Sequence, residues 1–438
     1  MEQAPRSRGS AVIVSTDEPD RTELKRLLLV AYYFPPLAGS GVFRPLRMSR
    51  HLGRHGWHVT VVTASETVRV LKDPGLVAEI PSTVSVERTG SFEPRNALIA
   101  LNKVGLGGLA RTIEPWFLIP DDQRGWVPFA TRRALALHEA HPFHAVVATA
   151  GPYSTLLVGQ ALKHRAGIPF VADFRDEWTT NPYLAGRYPT AWHRRYNRAL
   201  EQSVLEDADR VVCVSRPWLD TIRGLVPEEP DVKFRVHENG YDAAHFENTA
   251  PKRVDTFRVV YAGTFYGHRS PKAFLDAVRR VLEGKRIPAS DLEIRFIGHG
   301  SAQSADGLPA SILRAVPQRP FRETLRELSD AAVLLLVIPR EGGPGNHTGK
   351  LFNYLAAARP ILCLAPEPNV AADLVRESRS GLVAPPDDPA AIADALVAMW
   401  RDWKDGRVLS DWRQDVVARY EADAQSKAYA EMLGELPA

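Results

Sequence analysis

Residues 331–366 read AAVLLLVIPREGGPGNHTGKLFNYLAAARPILCLAP, and this stretch decides the fold. The apolar run 332–338 has the length of a buried strand, and a glycine-rich loop follows it. A helix-favouring segment opens at Thr348-Gly349-Lys350, and a second apolar run at 361–364 returns as a strand. In such a strand–loop–helix–strand unit the loop presents backbone N–H groups and one lysine at a helix N-terminus. Unpaired amides and the helix dipole both favour negative charge there, so a phosphate suits the position. An ordinary crossover with a surface lysine is the alternative. A P-loop is excluded, because its pattern needs Gly ahead of Gly-Lys and Ser or Thr after it, where this chain has Pro344 and Leu351.

Outward from this unit, strand-like runs alternate with helical segments along the chain, which predicts α/β architecture with parallel sheets. In the first half the strands fall at 26–31, 58–63, 85–88, 145–149, 169–173 and 210–214, with helices near 42–55, 152–165 and 192–205. A second series begins at 257–262 and continues through 292–297, 332–338 and 361–364. Segment 233–248 reads as the linker between them, and 409–436 reads as one long amphipathic helix. The expected domains are a disordered tail at 1–24, an acceptor-side Rossmann-like domain at 25–240, a donor-binding domain at 241–408 and a C-terminal helix at 409–438. Two doubly wound sheets in tandem place their carboxyl-end crevices across one cleft, where ligands of such sheets bind.

Composition narrows the function classes. The 438 residues suit two domains, and 45% hydrophobic with 24% charged residues is ordinary for a soluble globular chain. No apolar run has the length of a membrane span, and 1–23 lacks the apolar stretch of a signal peptide. The two cysteines, Cys213 and Cys363, lie in apolar runs, so buried thiols in a reducing cytoplasm are expected and a structural zinc site is not. A net charge of +3 gives no case for nucleic acid. No Gly-x-Ser-x-Gly elbow and no His-Glu-x-x-His occurs. Asp207-Ala208-Asp209 has the letters of a metal-binding Asp-x-Asp but precedes a strand, so both acids are expected to be surface residues.

Gly39-Ser40-Gly41 lies between a strand and a helix. A dinucleotide fingerprint would need its third glycine at Arg44, so that reading fails. Residues 24–65 contain no acid. Arg44, Arg47, Arg50 and Arg54, with His51 and His55, fall on one side of the following helix, which predicts either a solvated basic face or a contact with anionic lipid or a phosphate-bearing acceptor. Gly151-Pro152 reads as a helix start, with the proline at the first helical position. Asp173-Phe174-Arg175-Asp176-Glu177-Trp178 ends a strand at the mouth of the crevice. There Asp176 suits hydroxyl groups, while Arg175 suits a phosphate or a partner carboxylate.

The order of these segments resembles retaining glycosyltransferases of the GT-B fold, the group 1 or family 4 type. In them a loop, a helix and the phrase EAMAxGxPV hold a nucleotide diphosphate; here the phrase reads LFNYLAAARPIL. Asp173–Trp178 is similar to a DFRDPW phrase of one subgroup, with Arg175 in place of a histidine common among relatives. The resemblance implies that Gly39, Ser40 and Gly41 approach the donor phosphates from the opposite domain. Relatives carry an arginine after the glycine of the next glycine-rich loop; here Thr264 follows Gly263, which leaves Arg269 as the surviving cation beside Lys350. Asn346, His347, Thr348 and Gly349 would supply donor contacts, and His299 would line a nucleobase pocket. The family's Glu-x7-Glu pair is replaced by Gly345 and Asn353, with Glu341 off register.

The implied activity is transfer of a sugar from a nucleotide-sugar donor to an acceptor hydroxyl, with retention and without metal or other cofactor. Asp176, Arg175, Arg269 and Lys350 are the expected catalytic residues. The acceptor is a small molecule, a glycan or a lipid-linked intermediate, and the expected location is cytoplasmic or peripheral on the inner face of the membrane. The final helix would cross back onto the first domain. A sugar-nucleotide epimerase and a non-catalytic sugar-nucleotide or lipid binder remain as alternatives.

Overall fold

The computed structural model describes residues 24–65, 71–92, 105, 108, 119–184, 186–247, 255–265, 267–298, 308–407 and 411–437. Its first sheet contains β1 (Lys25–Val30), β2 (Trp57–Ala64), β3 (Ser85–Thr89), β4 (Ala145–Thr149), β5 (Phe170–Phe174), β6 (Arg210–Cys213) and β7 (Phe234–Val236). Their order is β3-β2-β1-β4-β5-β6-β7, and every neighbouring pair is parallel. The second sheet contains β8 (Phe257–Ala262), β9 (Leu292–Ile297), β10 (Leu313–Val316), β11 (Val333–Val337), β12 (Ile361–Leu364) and β13 (Gly381–Ala384). Its order, β10-β9-β8-β11-β12-β13, repeats the first six strands of the first sheet, again all parallel. The fold is two Rossmann-like α/β domains.

Helices on both faces explain the unbroken apolar strands. Leu27 to Val30 and Val333 to Val337 are buried along their whole length, as strands of a sheet covered on both sides must be. Each order reverses beside its first strand, between β1 and β4 and between β8 and β11. The crevice outside the carboxyl ends at such a reversal is where ligands of open α/β sheets sit.

Several sequence expectations are corrected. The linker expected from residue 233 is interrupted by β7, where buried Phe234 opens a short edge strand and the His237 amide donates to the Cys213 carbonyl at 2.9 Å. β10 and β13 were not expected; each has four residues, and Arg314 or Gly381 breaks the apolar signal. The Ser154–Ala166 helix begins two residues after Pro152, so that proline does not open it. The long C-terminal helix is two helices, Gln414–Ala418 and Ala422–Gly434. Between them the Tyr241 amide donates to the Tyr420 carbonyl at 2.9 Å, and the Ala422 amide donates to the Tyr241 carbonyl at 2.7 Å. Glu421 then caps the last helix by accepting from the amides of Asp423 and Ala424. That helix packs on the Ser40–His51 helix, with Tyr429, Met432 and Leu433 joining Leu27, Leu29 and Val42 in one apolar cluster. No helix among the described residues is long and apolar enough to cross a membrane. The expected tail falls outside the described residues.

Candidate active site

The carboxyl end of β11 leads through the Arg340–Gly342 turn to the Gly349–Ala356 helix. One side chain holds this loop in shape. Asn369, 1% exposed, donates from Nδ2 to the carbonyls of Gly343 (3.2 Å), Pro344 (3.4 Å) and Asn346 (3.1 Å). Its Oδ1 accepts from the Ala371 amide at 2.9 Å and caps the Val370–Glu377 helix. Sequence reasoning missed Asn369; the signal was an asparagine directly before a helix-forming run.

Lys350 lies in the first turn of its helix, beside Thr348 at the N-cap and solvent-exposed Gly349. Its Nζ sits 4.0 Å from the centroid of the Tyr261 ring and over Gly263, where an added Cβ would lie only 2.6 Å from the amine. Gly263 therefore keeps the lysine's place open. Burial, and then the adjacent positive charge of Arg269, push the Lys350 amine well below the ordinary lysine range. Among the described residues no carboxylate pairs with Lys350. Tyr261 was another residue missed, since within a buried strand its letter signals only core.

Arg269 is buried and arrives on the loop after β8, which also carries Thr264. Asn353 is half-buried one turn along the Lys350 helix, and next to it the Tyr354 hydroxyl accepts the Ala262 amide at 3.1 Å. His299 lies outside the described residues.

Two loop residues face the first domain instead. His347 Nε2 donates to the Val214 carbonyl at 2.9 Å, and its ring lies edge-on to Phe352. Gly345 abuts Trp218 and Ser215: a Cβ there would stand 2.5 Å from the indole and 2.7 Å from the hydroxyl. A side chain here would collide with the first domain, so the glutamate that the resemblance implies for this position has no room. Glu341, by contrast, points outward and pairs with His268 at 3.2 Å.

From the first domain, Gly39 and Ser40 are exposed at the start of the Ser40–His51 helix, and Gly41 abuts the Arg175 guanidinium. Arg175 donates to the carbonyls of Ala150 and Gly151, so it is engaged by backbone. Asp176 is open to solvent between the domains. Its carboxyl is raised, because desolvation by the surrounding walls outweighs the charges of Arg175 and Arg269. The fields of both arginines, one from each domain, converge on it.

The basic helix face is corrected for most of its residues. Arg44 is 4% exposed and grips Asp173 through three contacts of 2.6–3.2 Å, and it also donates to the Glu238 carbonyl at 3.0 Å. Burial would push the Asp173 carboxyl up, yet the Arg44 charge and hydrogen bonds hold it below the ordinary range. Arg50 pairs with Asp242 (2.9 Å) and Glu79 (3.3 Å), His51 with Asp242 (3.1 Å) and His55 with Asp423 (3.1 Å). Arg47 is half-buried, its guanidinium pushed down to about 10 by burial and by Arg44. Most of this face is an internal ion-pair network, while Arg54 stays exposed with its guanidinium 3.6 Å from Asp423. Asp207 and Asp209, expected at the surface, are half-buried; Asp209 accepts from Lys163 (2.8 Å) and the Phe170 amide (2.7 Å).

Residues 41–240 match the family described as Glycosyl transferase 4-like domain, and residues 256–402 match Glycosyl transferases group 1. The chain belongs to the group 1 glycosyltransferases. It is an enzyme of that class, with the GT-B fold. Sucrose-phosphate synthase from Thermosynechococcus elongatus is similar over 94% of this chain and 98% of its own, at 15% identity and a TM-score of 0.62. Anabaena HepE, solved with UDP and glucose, is similar over 94% and 100%, at 13% identity and a TM-score of 0.62. The N-terminal domain of Candida albicans trehalose-6-phosphate phosphatase is similar over 95% and 98%, at 12% identity and a TM-score of 0.63. No curated protein sequence matches the chain significantly.

Proposed function

We propose that this glycosyltransferase takes a nucleotide-activated sugar and transfers it with retention of configuration, with no metal required. The observation that carries the reading is Lys350: a desolvated amine at a helix N-terminus, beside a second cation and with no carboxylate of its own among the described residues. A charge so placed is stabilised when a diphosphate arrives between the amine, Arg269 and the first amides of the Gly349–Ala356 helix. Asp176, facing the same space, suits hydroxyls of the sugar or acceptor. In the proposed step an acceptor hydroxyl oxygen bonds to C1 on the face from which the diphosphate oxygen departs. The C1–O bond breaks, and the acceptor's proton passes to that oxygen. Cations on the diphosphate then matter more than a dedicated base.

A thermal-shift series with UDP, GDP, dTDP, ADP and CDP, in chelator, tests the donor site, with UDP first because a protein of this fold was solved with it. Ligand that binds only the folded state raises its stability, so one nucleotide raises Tm and Lys350→Ala abolishes the shift. A shift that survives Lys350→Ala, or appears only with divalent metal, overturns the assignment.

A further inference from the structure

The loop that leads to Lys350 is held by a side chain shut off from any ligand. Asn369 follows β12 and is 1% exposed, one strand over from the loop that leaves β11. Its Nδ2 lies 3.2, 3.4 and 3.1 Å from the carbonyl oxygens of Gly343, Pro344 and Asn346, and the Val370 amide donates to the Pro344 carbonyl at 3.0 Å. The direction of those carbonyls matters more than their number. In a trans peptide the carbonyl and the following N–H point opposite ways. Drawing the Pro344 and Asn346 carbonyls onto Asn369 therefore turns the amides of Gly345 and His347 away from that buried side chain. The start of the loop is pinned as well. Arg340 meets Asp387 through two contacts of 2.8 and 2.9 Å, and the Asn346 side chain fills the space that a Cβ at Gly342 would need.

We infer that Asn369 is a positioning residue for the transfer reaction. It fixes the loop amides and the start of the Lys350 helix before a diphosphate arrives, without touching it. The inference rests on the donor reading of Lys350. A loop released from the clamp spreads over several shapes, and a ligand that needs one of them binds with an affinity reduced by the fraction in that shape. The two ends of the amide have separable tasks. Oδ1 accepts from the amides of Ala371 (2.9 Å) and Ala372 (3.4 Å), which caps the Val370–Glu377 helix and serves stability. Nδ2 serves the loop.

Two substitutions tell these tasks apart. Asn369→Ser keeps a good helix-capping acceptor and loses the donor. Asn369→Asp also keeps the acceptor, and its carboxyl donates only when protonated. The probe is whichever of UDP, GDP, dTDP, ADP and CDP raises the wild-type Tm most, titrated by thermal shift with Lys350→Ala alongside. Asn369→Ser should raise Kd roughly tenfold, with little change in the Tm of the unliganded chain. Burial against three carbonyls raises a carboxyl, so Asn369→Asp should bind as weakly near pH 8 and regain affinity relative to Asn369→Ser towards about pH 5. A residue that only supports the fold would lower Tm and give no such profile. Unchanged affinity in Asn369→Ser, where Lys350→Ala loses the shift, overturns this inference alone. An Asn369→Asp chain that follows Asn369→Ser at every pH overturns it too. No shift of the wild type with any of the five nucleotides overturns the donor reading, and this inference with it.

Discussion

The two switch-point crevices are built alike and charged differently. Beside β1 and β4 two cations are answered from within: Arg44 by Asp173 and Arg175 by the carbonyls of Ala150 and Gly151. Beside β8 and β11, among the described residues, Lys350 is left with a tyrosine ring, a glycine and another cation. A buried charge with its partner present is architecture, and breaking the pair strands the survivor. A buried charge without one is a cost that folding tolerates when a ligand removes it. The comparison thus separates the crevice that fixes the first domain's shape from the one to which the proposed function assigns the anion.

Four experiments break or sharpen that contrast. The largest effect belongs to the closed crevice: Asp173→Ala, measured by chemical denaturation, should cost about 3–5 kcal/mol because Arg44 is left buried and unpaired. Next comes the open crevice. Lys350→Ala should lower turnover by roughly 10²–10³, with Tm unchanged or raised; a large fall in Tm would mean that the lysine is structural after all. Gly345→Ala, which drives a methyl into Trp218, should cost about 1–3 kcal/mol and weaken nucleotide binding, as read by thermal shift. The smallest effect tests a buried acid beside the first crevice, Glu177, the neighbour of Asp176. Burial pushes the Glu177 carboxyl up to about 7, whereas in the unfolded chain it titrates near 4.3. The native state binds more protons between those values, so stability should rise as pH falls from about 7 towards about 4.3. Glu177→Gln should flatten that slope.

Much of the fold was legible because fully buried parallel strands write themselves as apolar runs; Leu334, Leu335 and Leu336 could be little else. The strands that escaped, β7, β10 and β13, are edges of three or four residues, too short to read as apolar runs, and Arg235 and Arg314 interrupt two of them. At the site, the Gly349-Lys350 turn was legible because its chemistry is local. The basic helix was misread for the opposite reason. An acid-free window from 24 to 65 says nothing about partners that arrive from Asp173, Asp242 and Asp423, each more than 100 residues away. Gly345 shows the same limit: its departure from the family pattern makes sense only once Trp218 is seen against it. Asn369 clamps three carbonyls, yet in the sequence it offered only the signature of a helix cap.

The chain passes between the domains twice, and the two passages touch: Tyr241 exchanges backbone hydrogen bonds with Tyr420 and Ala422. Two covalent links set side by side behave like one pin. Moving one domain against the other must carry both strands of the joint, or break the hydrogen bonds between them. The contacts that span the cleft elsewhere, from His347 on Val214 to Gly345 on Trp218, then rest on non-covalent packing alone.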